Sequence, residues 1–211
     1  MKLERILKWI DRLLATGSFD DVSNNGLQVA RTGDEVKKVA FAVDASLASV
    51  RAAAAAGAQL LVVHHGISWG GGIKRLTGGA YAVVKAALDA NRTCGNNWEL
   101  ARYLKLTRVK PAFSYHGNVI GVTGFNAHGK KIGVCSGGAG EFAEEARRLG
   151  CDLYVTGEAN WGEKIAAANV GQPMVCAGHY ATETFGVRAL MRELTRALKV
   201  SAVFVDGDGR I

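Results

Sequence analysis

The sequence contains no long hydrophobic segment. A membrane-spanning helix needs roughly 18 or more consecutive apolar residues, and no such run occurs, although hydrophobic residues make up 48% of the 211-residue chain. The first 14 residues have the pattern of an amphipathic helix and carry acids at Glu4 and Asp11, which is untypical of a secretory leader. We therefore expect a protein with a substantial core and no membrane partner.

Cysteine is scarce and widely spaced. The chain has four cysteines, and none of them forms a Cys-x-x-Cys pair. Such residues are typical of buried or incidental thiols in a reducing compartment, so we expect a cytoplasmic location.

A dense basic run is also missing. The net charge of +7 permits contact with nucleic acid or with anionic metabolites. However, the basic residues are interspersed with acids, and no Lys/Arg cluster stands beside aromatic residues. An ordinary solvated surface is the favoured interpretation, and nucleic-acid binding is possible but not favoured.

One stretch of the sequence is unusual: Leu60–Gly72, which reads LLVVHHGISWGGG. Four apolar residues without alternation indicate a strand buried on both faces, as in a parallel sheet covered by helices. His64 and His65 follow at its carboxyl end, where ligands gather in such sheets. Neighbouring side chains of a strand face opposite ways, so both imidazoles reach one site only if the backbone leaves the strand there, which Gly66 eases. The alternative is one packed histidine and one exposed histidine.

The second half of the chain repeats this arrangement. Segment 37–66 aligns without a gap to segment 130–159, and both have the pattern strand, helix, glycine, strand. His65 falls opposite Glu158 in this alignment. The match of apolar positions indicates a duplication, with each copy aiming a strand end at a loop.

The fold class expected from this repeat is α/β, made of two duplicated units related by a pseudo-twofold axis. The first unit is expected over residues 1–125 and the second over 126–211. A final strand within 200–206 is expected to pack with the first unit.

The first copy lacks one expected strand. In the second copy, a helix over 163–169 leads to a strand over 174–177 and then to a long helix. The first copy shows a helix over 81–91, but the segment after it, near Thr93, is too short and too polar for a strand. Either a strand has been lost there or the sequence omits a segment.

A second candidate site follows the strand over 174–177, in the sequence GHYATE of residues 178–183. His179 and Glu183 are four residues apart, which places both on one face if the helix has begun and at the helix entrance if it has not. An imidazole with a carboxylate suits Zn, Fe, Mn or Ni. The alternative is a capping histidine beside a first-turn glutamate that the helix dipole favours.

Two strand ends, one in each copy, thus carry three of the five histidines. A pseudo-symmetric pair of units would bring these ends to a shared cleft. Two metal ions bridged by a water molecule could generate a hydroxide nucleophile there near neutral pH. His116 and His128 lie in linker turns and are expected to be structural or surface residues.

Four motifs together resemble those of a known family. They are HHG-x-x-W-GG at 64–71, TGE at 156–158, GHY-x-TE-x-FGV at 178–187 and NNGLQV at 24–29. With them the chain resembles the dinuclear metal-centre proteins called GTP cyclohydrolase I type 2 homologues, the NIF-three-like family, up to about residue 206. The resemblance implies a duplicated three-layer α/β/α fold, a toroidal homohexamer and two divalent metal ions. The ligands that it implies are His64, His65, His179 and Glu183.

The family pattern includes one further ligand that has no match in this chain. It is an aspartate in a segment resembling H-x-P-L-D-A-H, placed just before Gly-Asn-Asn. Here Cys94 directly precedes Gly95, Asn96 and Asn97, so the segment is absent. This gap coincides with the one that the internal repeat indicates. Asp44 and Asp89 do not match the family position, which leaves full occupancy by two ions open.

Two further features are expected to be mainly structural. Residues 136–140 read SGGAG between a strand and a helix, where backbone amides can surround an anion. Three acids follow closely and would repel phosphate, so a plain tight turn is favoured. Trp69, Trp161 and Tyr180 could stack on a planar base, but packing at a subunit interface is favoured.

The leading functional hypothesis is a cytoplasmic metal-dependent hydrolase that acts on a nucleotide or a related phosphoester. Glu158 is the candidate for a general base or for a residue that supports the metal ligands. GTP as the substrate comes only from the family resemblance. The alternative is a non-enzymatic metal-binding or scaffold ring, so whether the chain is an enzyme stays open, and a nucleic-acid-binding ring ranks below both.

Overall fold

The computed structural model describes residues 1–19, 23–31, 33–66, 76–78, 80–83 and 86–207. The chain divides into two compact units, one of Met1–Leu88 with Val187–Ile211 and the other of Asp89–Gly186. This division differs from 1–125 and 126–211, because residues 89–125 belong to the second unit and residues 187–211 to the first. Each unit contains one β-sheet, which confirms the α/β class.

The first unit is built on a six-stranded sheet. Its helices are α1 (Leu3–Leu14) and α2 (Leu47–Ala55), and its strands are β1 (Gly26–Arg31), β2 (Lys38–Asp44), β3 (Leu60–His65), β4 (Leu76–Gly78), β5 (Ala80–Val83) and β11 (Ser201–Phe204). The strand order is β11-β2-β3-β5-β1-β4. All neighbouring pairs are parallel except β1 with β5.

Strands β2 and β3 form the buried part of this sheet. Both are almost continuously apolar, and their middle residues are buried, as expected for strands covered on both faces. Helix α2 connects them and begins after Ser46, whose side chain accepts a hydrogen bond from the Ser49 N–H. Ala53 of this helix packs in one core cluster with Ala42 and Val63. The carboxyl ends of β2 and β3 are thereby held side by side.

The second unit is built on a five-stranded sheet. Its helices are α4 (Asn96–Tyr103), α5 (Ala143–Arg148) and α6 (Trp161–Asn169), and its strands are β6 (Thr107–Tyr115), β7 (Asn118–Phe125), β8 (Lys131–Gly138), β9 (Leu153–Glu158) and β10 (Met174–Cys176). Helix α3 (Ala86–Ala90) leads into this unit, and α7 (His179–Leu198) begins in it and continues in the first. None of the described helices is long and apolar enough to cross a membrane.

The second sheet has the order β10-β9-β8-β7-β6. Strands β8, β9 and β10 are parallel, whereas β6 and β7 form an antiparallel extension beside β8. Its core contains the aromatic residues Phe113, Phe142 and Tyr154. The buried Tyr154 hydroxyl donates a hydrogen bond to the Ala139 carbonyl oxygen at 2.7 Å, so this polar group is satisfied inside the core.

The internal repeat is present as β2-α2-β3 in the first unit and β8-α5-β9 in the second. The helix predicted over 81–91 is wrong at its start, because Ala80–Val83 form β5 and α3 covers only Ala86–Ala90. Strand β5 pairs in parallel with β3, as β10 pairs with β9. Strand β5 thus lies beside β3 as β10 lies beside β9, but it precedes a helix, whereas β10 follows one. Pairing with β3 is a tertiary contact, and it overrides the helix propensity of alanine.

Candidate metal centre

The first unit presents its histidine pair where β2 and β3 end. Asp44 and His65 are the last residues of these strands and lie opposite each other in the parallel register. His65 Nδ1 lies 2.8 Å from Asp44 Oδ1. His64 is fully buried and His65 partly buried. Residues 67–72 of the stretch Leu60–Gly72, Trp69 among them, lie outside the described residues.

The two imidazole rings are neighbours despite their succession in one strand. Their centroids are 4.6 Å apart and their planes are inclined by 39°. Side chains that stood on opposite faces of a regular strand would not approach so closely. Both imidazoles therefore lie together at the end of β3, as a shared site requires.

The second unit presents its pair where α7 begins. His179 is the first residue of this helix, so Glu183 follows one turn later on the same face. His179 Nε2 lies 3.2 Å from Glu183 Oε2, and His179 Nδ1 lies 2.9 Å from Glu158 Oε1 at the end of β9. The Glu183 side chain is only 5% exposed, whereas that of Glu158 is 62% exposed. One imidazole thus contacts a buried and an exposed carboxylate.

This arrangement stabilises positive charge. The pKa of His179 is raised to about 9, first by its hydrogen bond with Glu183 and further by the charge of Glu183 and by Glu158, against an opposing effect of burial. A buried carboxylate is costly unless a cation or hydrogen-bond donors compensate it. The start of α7 is therefore a place where a cation is favoured.

A glycine turn at the end of β8 leaves space for Glu183. Gly137 has a φ of +71°, and a Cβ atom at this position would lie 2.4 Å from Glu183 Oε1 and 3.4 Å from His179 Nε2. The Gly137 N–H donates to Thr182 Oγ1 at 3.1 Å, which ties the turn to the first turn of α7. The sequence favoured a plain tight turn over residues 136–140, whereas β8 continues to Gly138 and its register with β9 shifts between Cys135 and Gly138. The glycine turn is this irregularity at the end of β8, and the absence of a side chain at Gly137 accommodates the carboxylate of Glu183.

Two asparagines that the sequence marked only as neighbours of a gap hold the glycine turn and helix α7 by hydrogen bonds. Asn96 and Asn97 are fully buried. Asn97 accepts a hydrogen bond from the Ser136 N–H at 2.7 Å and donates one to the Ile120 carbonyl oxygen at 2.9 Å. Asn96 accepts one from the Gly186 N–H in α7 at 2.7 Å. Two adjacent amides at the start of a helix are the signal that could have revealed this role.

The remaining histidines lie apart from these contacts. His116 and His128 are exposed residues of turns, as expected from the sequence. Trp161 is 77% exposed at the start of α6.

Comparison with known proteins identifies the family. The model of the family described as Duf34/NIF3 (NGG1p interacting factor 3) matches residues 1–125 and 112–208. The chain belongs to this family. The relatives include proteins named GTP cyclohydrolase 1 type 2 homolog from Pyrococcus horikoshii and Archaeoglobus fulgidus, each 36% identical over 98% of both chains.

Solved structures agree with this membership. The crystal structure of TTHA1606 from Thermus thermophilus matches with a TM-score of 0.83 at 27% identity and covers 98% of both chains. The duplicated α/β architecture is therefore that of NIF3 proteins.

The relatives contain positions that this chain does not have. The alignment with the Pyrococcus horikoshii protein extends over 247 positions, whereas the chain has 211 residues. Because the alignment covers 98% of both chains, most of the surplus lies inside the alignment and not at its ends. This agrees with the missing segment that the sequence indicates.

Proposed function

We propose that the chain binds divalent transition-metal ions through His64, His65, His179 and Glu183 and catalyses a metal-dependent hydrolysis. The observation that carries the proposal is the contact of His179 with the buried Glu183 at the start of α7. Membership of the NIF3 family supports the same assignment.

The donor set fits a transition metal of intermediate hardness. Imidazole nitrogen and carboxylate oxygen suit Zn, Fe, Mn or Ni, whereas Ca is held by oxygen atoms alone. In the second unit, the glycine turn keeps side-chain atoms away from Glu183 Oε1, and the raised pKa of His179 reports an environment that favours positive charge. A metal ion would replace the proton that His179 carries between two carboxylates.

A divalent ion, when bound, acts as a Lewis acid and lowers the pKa of water. The residues of the second unit orient the ligand and provide a proton acceptor. Glu158 accepts a hydrogen bond at His179 Nδ1, which fixes the ring and leaves Nε2 for the ligand role. Because its carboxylate is 62% exposed, Glu158 can also accept a proton from a reacting group.

The proposed substrate is a nucleotide or a related phosphoester. The name of the relatives, GTP cyclohydrolase 1 type 2 homolog, supports a nucleotide, and the net charge of +7 favours an anionic substrate. Turnover of GTP, other nucleoside triphosphates and p-nitrophenyl phosphate by metal-loaded protein tests this assignment. Hydrolysis that chelation abolishes and metal restores is the expected result.

Metal analysis tests the binding step separately from turnover. Purified protein dialysed against Zn²⁺, Mn²⁺, Fe²⁺ or Ni²⁺ should retain metal, and the ratio of metal to chain distinguishes one ion from two. The double variant His64→Ala with His179→Ala should lose it, whereas the exposed His128→Ala should not. Equal metal content in the double variant and the wild type would refute the site.

A non-enzymatic role is the second candidate, and one specific observation favours it. The chain lacks positions that its relatives contain, so the ligand set expected for two ions is incomplete. A protein that binds or delivers metal without turnover needs no complete dinuclear centre. Retained metal with no hydrolysis of any tested phosphoester would support this role over the enzymatic one.

We also propose a cytoplasmic homohexamer, on the basis of the NIF3 family alone. Light scattering coupled to size-exclusion chromatography measures the mass of the assembly against the 22.3 kDa of one chain. A monomer at micromolar concentration would refute the ring.

A further inference from the structure

The end of β2 carries a carboxylate that the proposed metal site does not yet use. Asp44 is the last residue of β2, and its Oδ1 lies 2.8 Å from His65 Nδ1. The two residues are also direct partners in the parallel register of β2 and β3. The backbone of the sheet, and not a flexible loop, therefore sets their separation.

Helix capping does not explain the position of Asp44. A carboxylate just before a helix often caps it, but the N-cap of α2 is Ser46, which accepts the hydrogen bond from Ser49. The carboxylate of Asp44 instead contacts the His65 ring. The side chain is 46% exposed, so water competes for its oxygen atoms and the contact is not forced by burial.

A carboxylate at Nδ1 decides which nitrogen of an imidazole can bind metal. Asp44 is an acceptor, so the proton of neutral His65 resides on Nδ1 and the lone pair on Nε2. Such a carboxylate–histidine contact orients the ring and increases the basicity of the other nitrogen, and its loss typically lowers metal affinity about 10- to 100-fold.

The second unit contains the same arrangement with different residues. Glu158 Oε1 lies 2.9 Å from His179 Nδ1, so that His179 Nε2 is turned to Glu183. Asp44 extends from a strand end beside its histidine, and so does Glu158, although the two acids are not equivalent in the internal repeat. The position equivalent to Asp44 is Gly137, where a side chain would collide with Glu183.

We propose that Asp44 is a positioning residue that holds His65 as the Nδ1–H tautomer and directs its Nε2 to the metal ion. This inference rests on the proposed metal-binding function. In this arrangement Asp44 does not bind the ion itself. Each unit supplies one histidine whose Nδ1 contacts a carboxylate, which leaves its Nε2 for the ion.

Two variants of Asp44 separate orientation from charge. Asp44→Ala removes the acceptor, and Asp44→Asn keeps an amide oxygen that can accept from Nδ1 but removes the charge. Glu4→Gln is the matched control, because it removes one carboxylate from the exposed face of α1 in the same unit. Circular dichroism of each variant verifies the fold.

The first measurement uses metal-free protein. Long-range ¹H–¹⁵N spectra of His65 report which ring nitrogen carries the proton, independently of any metal. The wild type and Asp44→Asn should show the Nδ1–H tautomer, and Asp44→Ala should shift toward Nε2–H, the form that free imidazole side chains prefer. An Nε2–H tautomer in the wild type would overturn the inference and leave the metal-binding proposal standing.

The second measurement titrates Co²⁺ into each protein and follows its visible absorption. Asp44→Ala should weaken binding about 10- to 100-fold with an unchanged number of ions, Asp44→Asn should fall between, and Glu4→Gln should match the wild type. Unchanged affinity in Asp44→Ala, or the loss of a whole ion per chain, would overturn the positioning role. Absence of binding by the wild type would refute the proposed function itself.

Discussion

At the scale of single residues, the space around Glu183 is as important as its charge. Gly137 faces this carboxylate with no side chain, and its φ of +71° is strained for other residues. The Gly137 N–H itself donates a hydrogen bond to Thr182 Oγ1, so the turn cannot move away freely. A substitution here should therefore affect both stability and the metal site.

We expect Gly137→Ala to lower the free energy of unfolding by about 1–3 kcal/mol and to weaken metal binding. The added Cβ atom would lie 2.4 Å from Glu183 Oε1 and would displace it. Gly129→Ala is the matched control, because its φ is +73° and nothing lies within 4 Å of its added Cβ. Urea unfolding and metal titration of both variants measure the difference. Equal losses of metal affinity in the two variants would show that backbone strain alone is responsible.

The charge of Glu183 should be visible in the titration of its partner. In metal-free protein the pKa of His179 is about 9, raised from 6.5 chiefly by the hydrogen bond with Glu183. Glu183→Gln should lower this pKa toward 6.5, whereas the exposed Glu144→Gln should leave it unchanged. Titration of the His179 ring signals by NMR, in the presence of a chelator, measures this pKa in both variants and in the wild type.

The same shift has a consequence for stability. Because the folded pKa is raised, the contribution of His179 to the stability of metal-free protein is fully present below about pH 6.5 and is lost as the pH rises through about 9. Unfolding at pH 6 and pH 10 should show a loss in the wild type that is smaller in Glu183→Gln. A pH profile that is identical in the two proteins would contradict the assigned pair.

At the scale of elements, the second sheet and the start of α7 are connected through buried amides. Asn97 links the end of β8 to β7 through hydrogen bonds with Ser136 and Ile120. Asn96 reaches the Gly186 N–H of α7, where the absence of a Cβ allows the close approach. These contacts hold the glycine turn and the helix that bears His179 in one unit.

We expect Asn97→Ala to destabilise the second unit by about 1–3 kcal/mol, because it leaves the buried Ser136 N–H and the partly buried Ile120 carbonyl without their partner. The exposed Asn169→Ala at the end of α6 should change stability by less than about 0.5 kcal/mol. Urea unfolding, followed by tryptophan fluorescence, measures the free energy of unfolding of the two variants. A small effect of Asn97→Ala would mean that water replaces the amide.

At the scale of the whole molecule, metal binding should appear as stabilisation. A free metal concentration 100 times the dissociation constant raises the free energy of unfolding by about 2.7 kcal/mol. We expect this gain in the wild type and its loss in His64→Ala and in Glu183→Gln, one substitution in each unit. Calorimetry with and without Zn²⁺ measures it, and His128→Ala serves as the control. A full gain in either variant would show that its unit does not take part.

Much of the fold follows from local pattern, and the exceptions share a cause. The buried strands and the repeat of β2-α2-β3 as β8-α5-β9 were readable because apolar runs and glycines mark them directly. Strand β5 was predicted as a helix, since its four residues carry no strand pattern and become a strand only by pairing with β3. The two compact units likewise depend on which strands pair, as when the last strand, β11, joins β2.

Some features of the candidate site could likewise be predicted from local pattern, and others depend on tertiary contacts. The sequence by itself determined that His64 and His65 end one buried strand and that His179 and Glu183 begin a helix after another, because strand length, glycine and helical spacing are local properties. Only the tertiary structure decided that Asp44 faces His65 and that Gly137 makes room for Glu183. The same is true of the hydrogen bond by which Asn97 holds the glycine turn at Ser136. These contacts join residues far apart in the chain, and they are set by strand register and packing, which no local pattern encodes.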